Sequence, residues 1–315
     1  MSSAPHTDRK AVTIVGGGTV GICCALSLVQ RDIPTRLIDR AAPGQATSYG
    51  NAGVISPWSF IPMALPGIWK KAPGMMLSAD RPLAVRPEFW PRMLGWGSKF
   101  IAHSAESTVR HVADAMAYLC SPSVGLFRQH LQGTGHENLL VDSWYVHAFR
   151  NASKPTLDAL DYRIRLEKGG ELELITADEL RQLEPALSDD FKAAVLIKGQ
   201  ARALSPGKMA EVLTQKAQTL GVEFINLEVK AIQREQQGWV IRGETGDLQA
   251  EKIILAAGIW SKQLLEPLGI KLPLVAERGY HMEFANSGVV LNNSIMDVEA
   301  KIVASSMRDG MRLAG

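Results

Sequence analysis

Residues 16–21 read Gly-Gly-Gly-Thr-Val-Gly, follow the apolar run 11–15 directly and open a helical pattern. The next apolar run, 35–39, ends on Asp39. Strand, glycine turn, helix and a carboxylate about 20 residues on make up a dinucleotide-binding fingerprint. Gly16 and Gly18 let the backbone turn tightly and approach a pyrophosphate, and Gly21 lets the helix lie close to the strand. The helix N-terminus adds unpaired N–H groups and a positive dipole end. Asp39 is the acceptor for ribose hydroxyls. The chain is thereby committed to an α/β fold with a βαβ unit over 11–39. The fingerprint alone leaves the dinucleotide and its chemistry open.

At 315 residues there is enough chain for two ordinary cores, and 46% hydrophobic with 21% charged residues is a globular composition. The formal charge of +2 balances 34 basic against 32 acidic residues, which speaks against a nucleic-acid surface and for small-molecule partners. Cys23 and Cys24 are adjacent, so an ordinary disulfide between them is excluded, and Cys120 completes no CxxC pair. No metal site is expected. Reduced thiols point to the cytoplasm, and the polar stretch 1–10 lacks the charged-then-apolar design of a signal peptide.

After the βαβ unit, residues 47–53 form a loop of small and hydroxyl side chains that permits close approach of something flat or bulky. The stretch 54–77 is apolar but broken by Pro57, Pro62, Pro66 and Pro73, which rules out a spanning helix. It reads as a buried or lid-like loop, with Trp58, Trp69 and Lys70-Lys71 also suiting peripheral contact with a bilayer. Residues 88–132 read as two helical segments separated near Ser104, and 140–149 as a strand with Tyr145, His147 and Phe149 on one face. The residues Thr176-Ala177-Asp178-Glu179 form a capping box that opens a short helix to Leu183. A second α/β stretch runs from 193 through a helix at 206–220 and a strand at 222–226. The segments 229–235 and 239–242 make a hairpin, and an apolar strand at 252–257 follows. Strands at 272–284 and 295–315 return to a second domain.

Four separated motifs now coincide: GGGTVG at 16–21, TSYGNAG at 47–53, LAAGIWS at 255–261, and Glu277-Arg278-Gly279-Tyr280-His281. Together they resemble the FAD-dependent D-amino-acid dehydrogenase family, within the D-amino-acid oxidase, glycine oxidase and sarcosine oxidase superfamily. The likeness runs from Ala11 to the end of the sequence. It implies an α/β fold with a discontinuous, glutathione-reductase-like Rossmann FAD domain over 10–87 and 193–271. A second α+β substrate domain with a mixed sheet would then comprise 88–192 and 272–315.

The resemblance implies FAD as cofactor, with Gly16, Gly18 and Gly21 at the pyrophosphate and Asp39, followed by Arg40, at the adenosine ribose. Thr47, Ser48, Asn51 and Ala52 would run along pyrophosphate and flavin, and Gly53 and Val54 would lie near the isoalloxazine. Val229 would meet adenine through its backbone, while Ala256, Ala257 and Gly258 pack under the cofactor with Trp260 just beyond. The reaction implied is oxidation of the CH–NH bond of a D-amino acid, or of a cyclic or secondary amino acid. Hydride passes from Cα to flavin N5, and the imino acid hydrolyses to a 2-oxo acid and ammonia. Arg278, Tyr280 and His281 are the substrate-side candidates, Arg278 because a guanidinium suits a carboxylate. Tyr145 and His147 could line an opposite wall.

Two departures stand out. Relatives continue beyond the strand ending at Gly315 into a segment that completes the FAD domain, so the sequence reads as truncated, with weak FAD binding expected of these residues alone. Met307, with Arg308 next door, stands where relatives often carry a carboxylate-binding arginine, and Arg312 is an alternative anchor. Rival readings are a non-catalytic or truncated flavin-binding protein and an NAD(P)-dependent dehydrogenase. A dehydrogenase would pass electrons to a quinone, with peripheral contact at the cytoplasmic face of the inner membrane; an oxidase would use oxygen.

Overall fold

The computed structural model describes residues 11–70, 74 and 87–315. The polar N-terminus 1–10, Lys71 and Pro73 lie outside the described residues. In chain order the strands and helices begin β1 (Val12–Val15), α1 (Thr19–Val29), β2 (Thr35–Asp39), β3 (Val54–Ile55), α2 (Trp90–Ala102), α3 (Glu106–Cys120) and α4 (Ser123–Leu131). Next come β4 (Leu140–Phe149), α5 (Leu160–Glu167), β5 (Leu172–Thr176), α6 (Ala177–Leu183), β6 (Ala193–Ala203) and α7 (Pro206–Thr219). The chain continues with β7 (Glu223–Asn226), β8 (Val229–Glu235), β9 (Gly238–Gly243), β10 (Asp247–Ala250), β11 (Lys252–Leu255) and α8 (Ser261–Leu265). It closes with β12 (His281–Phe284), β13 (Ser294–Asp297), β14 (Ile302–Met307) and β15 (Gly310–Ala314).

One compact unit comprises the described residues of Met1–Asn51 together with Arg128–Leu139 and Ser205–Gly279. Its centre is a four-stranded parallel sheet in the order β11-β1-β2-β7. Both faces of β1 are buried, which is why it reads as an unbroken β-branched and aliphatic run instead of an alternating one; β2 is buried too, and its Arg36 donates to the Gln249 carbonyl at 3.0 Å. Helix α1 buries Gly21, Ile22, Ala25 and Leu26 and packs on α7. Helix α7 starts with Pro206, where a missing N–H costs nothing, and buries Met209, Ala210, Val212, Leu213 and Ala217 at helical spacing. An antiparallel sheet, β10-β9-β8, shares a core with the parallel one: Val15 and Ile38 pack with Ile232, Ile241 and Ala250. Each fully buried Ile or Leu here is worth roughly 1.5–3 kcal/mol.

The other unit comprises the described residues of Ala52–Phe127 with Leu140–Leu204 and Tyr280–Gly315. It holds an eight-stranded mixed sheet, β12-β15-β14-β13-β4-β6-β3, with β5 also paired to β6. The pairing of β13 with β4 is parallel and the rest are antiparallel. Strand β4 divides its faces as the sequence implies. Val146 and Ala148 join one core cluster and Phe149 the other, with Tyr145 packed beside it. The capping box is present: the Thr176 side chain accepts the Glu179 amide, and the Glu179 carboxylate accepts the Thr176 amide at 2.8 Å. Phe60 is buried with Val109, Ala113 and Ile164, so part of the proline-broken segment is core.

Several expectations are corrected. Strand β6, expected in the nucleotide-binding domain, pairs instead with β3, β4 and β5 in the mixed sheet. Its apolar run is that of any doubly buried strand and does not say which sheet it joins. Residues 52–70 belong to this unit as well, whereas 128–139 belong to the first. The region expected as two helices is three, because Pro122 interrupts it between Cys120 and Ser123. Residues 270–280 are irregular around Pro273 and Gly279, and the strand begins only at His281. Tyr145 packs against a core cluster of this unit, and its neighbour His147 is buried beside it. His147 donates to or accepts from the Tyr162 hydroxyl at 2.8 Å inside the core, and burial lowers its pKa to about 3. Among the described residues no helix is long and apolar enough to cross a membrane.

Candidate cofactor-binding site

The carboxyl end of the parallel sheet builds the site. Gly16 N–H donates to the Ile38 carbonyl at 2.8 Å, and Ala256 N–H donates to the Val15 carbonyl at 2.8 Å, so the ends of β1, β2 and β11 stand side by side. Gly16 has φ +112°, and a Cβ there would collide with the Ala256 carbonyl. A Cβ on Gly21 would likewise strike the Gly16 carbonyl, so Gly21 serves close packing of α1. The N-cap of α1 is Gly18, which has no side chain to cap the helix, and the first turn carries no acidic residue. The positive end of the helix is left for an external anion.

Asp39 is tied to the glycine turn: its Oδ2 accepts the Gly17 amide at 2.6 Å, and its Oδ1 accepts the Ala41 amide at 3.0 Å. Each oxygen retains a further lone pair. The loop 44–51 is fixed at its start and in its middle. Gly44 N–H donates to the Gly17 carbonyl at 2.7 Å, and Ser48 Oγ accepts the Thr19 amide at 2.9 Å. Across from it, the Arg40 guanidinium lies over the Trp260 ring, 4.3 Å from its centre.

These residues surround a cavity of about 510 Å3. Gly16, Gly18, Asp39 and Arg40 line it from the first βαβ unit, with Thr47 and Ser48 from the loop. Val229 contributes from β8, and Ala256, Ala257, Gly258 and Trp260 from the turn after β11. Sequence reasoning missed Thr19, Val20, Lys230 and Gln263, which also line it. Gln263 stands three residues after Trp260, a spacing that puts both on one side of a helical turn and was available as a signal. A larger concavity, about 870 Å3 along Arg234–Gly238 and Gln249–Glu251, contains none of the glycines or the carboxylate.

The remaining candidates are not among the residues lining this cavity. Asn51 Nδ2 donates to the Ser48 carbonyl at 2.8 Å and braces the loop. Ala52, Gly53 and Val54 belong to the mixed-sheet unit, where the Gly53 carbonyl accepts the Ala203 amide at 2.7 Å and Val54 pairs with Arg202. A Cβ on Gly53 would meet the Ala203 carbonyl at 2.5 Å and the Met307 methyl at 3.2 Å. Arg278 sits in irregular chain. Tyr280, 71% exposed, exchanges backbone hydrogen bonds with Gly315, and His281 begins the exposed edge strand β12. Arg312, the alternative carboxylate anchor, is buried and ion-paired with Glu283 across the β12–β15 register.

The donor set fits the ADP portion of FAD: a helix N-terminus whose N-cap is a glycine and whose first turn holds no carboxylate, with the Ser48 hydroxyl beside it, for phosphate, a carboxylate for ribose, and an Arg–Trp pair as a flat apolar and cationic wall. Comparison with known proteins decides the family. The DAO family, FAD dependent oxidoreductase, matches residues 11–315. The chain belongs to this family. A D-amino-acid oxidase of Bradyrhizobium diazoefficiens is 34% identical over 98% of this chain and 74% of its own length. A D-amino acid dehydrogenase of Rhizobium johnstonii is 28% identical over 96% of this chain and 75% of its own. Among solved structures, L-proline dehydrogenase from P. horikoshii has the same fold, with TM-score 0.69 and 16% identity over 98% of this chain and 70% of that one. The DAO chain is thus an FAD-dependent oxidoreductase, and the choice of dinucleotide that the glycine motif left open is FAD.

Proposed function

We propose that this DAO-family chain oxidises the CH–NH bond of a D-amino acid, or of a cyclic or secondary amino acid presenting the same bond, to the imino acid. Water then converts a primary imino acid to the 2-oxo acid and ammonia. The observation that carries the reading is the cavity lined by Gly16, Gly18, Asp39 and Ser48, in a chain 34% identical to a D-amino-acid oxidase. When bound there, FAD supplies the two-electron acceptor for the substrate hydride. The chain's own residues bind and orient. The α1 N-terminus and Ser48 would hold the pyrophosphate, Asp39 would accept from the ribose, and Val229, Arg40 and Trp260 would flank the adenine. Ala256, Ala257 and Gly258 keep the strand end thin enough for close approach.

On the substrate side, Arg278, Tyr280 and His281 remain the candidates of this reading, Arg278 as a bidentate partner for a carboxylate. No general base is required if the amine arrives neutral. The test is a panel of D- and L-amino acids, sarcosine and hydroxyproline isomers with an artificial dye as acceptor. Turnover of D-amino or imino acids is expected, and turnover confined to L-amino acids with primary amines would overturn it.

For the acceptor, we infer a quinone reached by peripheral contact with a membrane surface. Trp90, Leu94 and Ile101 share one exposed apolar face of α2, which suits shallow contact with a membrane surface. Stoichiometric hydrogen peroxide during turnover, or no co-sedimentation with anionic vesicles, would contradict this.

A further inference from the structure

Thr47 and Ser48 reach the cavity from a loop, and a loop has to be held if its hydroxyls are to meet a phosphate. Tyr49 N–H donates to the Ala46 carbonyl at 3.0 Å, closing a turn whose two central residues are Thr47 and Ser48. The Tyr49 ring lies directly on Gly207, in the first turn of α7. A Cβ at position 207 would stand 2.5 Å from Tyr49 Cδ2 and 2.6 Å from Cε2, nearer than any real contact. One helical turn further on, the Ala210 methyl touches Gly44, which has φ +79° and donates to the Gly17 carbonyl at 2.7 Å. Positions 207 and 210 are three apart and share a face of the helix. Both ends of the loop therefore rest on one face of α7, while its middle caps the Thr19 amide through Ser48 Oγ.

We propose that Gly207 and Tyr49 form a latch through which α7 positions Thr47 and Ser48 on the cofactor cavity. Gly207 is required because only hydrogen leaves room for the ring. The Tyr49 ring, anchored there, sets where the turn and the Ser48 hydroxyl stand. Both are positioning residues: neither lines the cavity, and each acts through Ser48. The inference rests on that cavity holding FAD.

The test is FAD binding by the full chain, followed by fluorescence titration of the apo-protein, for Ser48→Ala, Tyr49→Ala, Gly207→Ala and the double variant of positions 49 and 207. Tyr49 is half-exposed, so Tyr49→Ala leaves the core intact, and circular dichroism of each apo-protein checks the fold. Gly207→Ala is expected to raise the dissociation constant about tenfold, and Tyr49→Ala by several-fold. With the ring gone, the added methyl has room, so the double variant binds no more weakly than Tyr49→Ala alone. Losses that multiply in the double variant overturn the latch. A loss in Ser48→Ala with none in Tyr49→Ala or Gly207→Ala overturns it while keeping the cavity reading. Unchanged affinity in all four overturns the cavity assignment and the latch together.

Discussion

The Asp39 carboxylate accepts the Gly17 amide at 2.6 Å, joining the end of β2 to the glycine turn after β1. Its second oxygen holds the Ala41 amide, so one short side chain fixes the two backbone segments that meet the nucleotide. A hydrogen bond to a charged group is worth about 1.5–3 kcal/mol. Asp39→Ala is predicted to weaken FAD binding at least about tenfold, close to 1.4 kcal/mol, and to lower the unfolding midpoint. Asp39→Asn keeps one acceptor and turns an NH2 toward a backbone N–H, so its loss falls between. Fluorescence titration and thermal unfolding measure the two effects.

A second prediction concerns the mixed sheet. Strand β4 changes register between Ser143 and Tyr145, and the Trp144 amide donates instead to Asn293 Oδ1 at 2.7 Å. Asn293 is held by the buried Glu184, whose Oε1 accepts Asn293 N and Nδ2 at 2.7 and 2.8 Å and whose Oε2 accepts Asn292 N at 2.8 Å. Removing the carboxylate strands the two Asn293 donors at a buried site and takes the partner of the Asn292 amide. Glu184→Ala is therefore expected to cost about 3–5 kcal/mol in denaturant unfolding.

How far the chain could be read without its structure follows from what each feature leaves in the sequence. The glycine turn, the run ending at Asp39 and the Thr176 capping box are local, and each is present where its residues stand. Strand β6 went to the wrong sheet because a doubly buried run has no alternation and no mark of its neighbours. The Glu184–Asn293 contact and the stacking of Arg40 on Trp260 join residues over a hundred positions apart through side chains, which no periodicity records. Resemblance alone places Arg40 and Trp260 at the cofactor, but their stacking is legible only in three dimensions.

The third prediction is a pH dependence. Burial, helped by the Arg165 and Lys301 charges, lowers the His147 pKa to about 3 from its ordinary 6.5. Above pH 6.5 both folded and unfolded forms are neutral there. Below it the unfolded chain takes up a proton that the folded chain refuses, so stability falls as pH drops toward 3, by up to about 1.4 kcal/mol per pH unit. Glu184, pushed up by burial, acts with the opposite sign. Comparing wild type with His147→Gln, which share Glu184, isolates the histidine: the variant's unfolding free energy should decline less steeply between pH 6 and 4.

The claim that this chain uses FAD to oxidise an amino-acid CH–NH bond is tested most directly by anaerobic titration of the FAD-loaded protein with D-amino and imino acids. The account predicts that the flavin's visible absorption bleaches with at least one of them, and that Asp39→Ala lowers the amount of flavin retained. Flavin that stays oxidised with every amino and imino acid of the panel would contradict it.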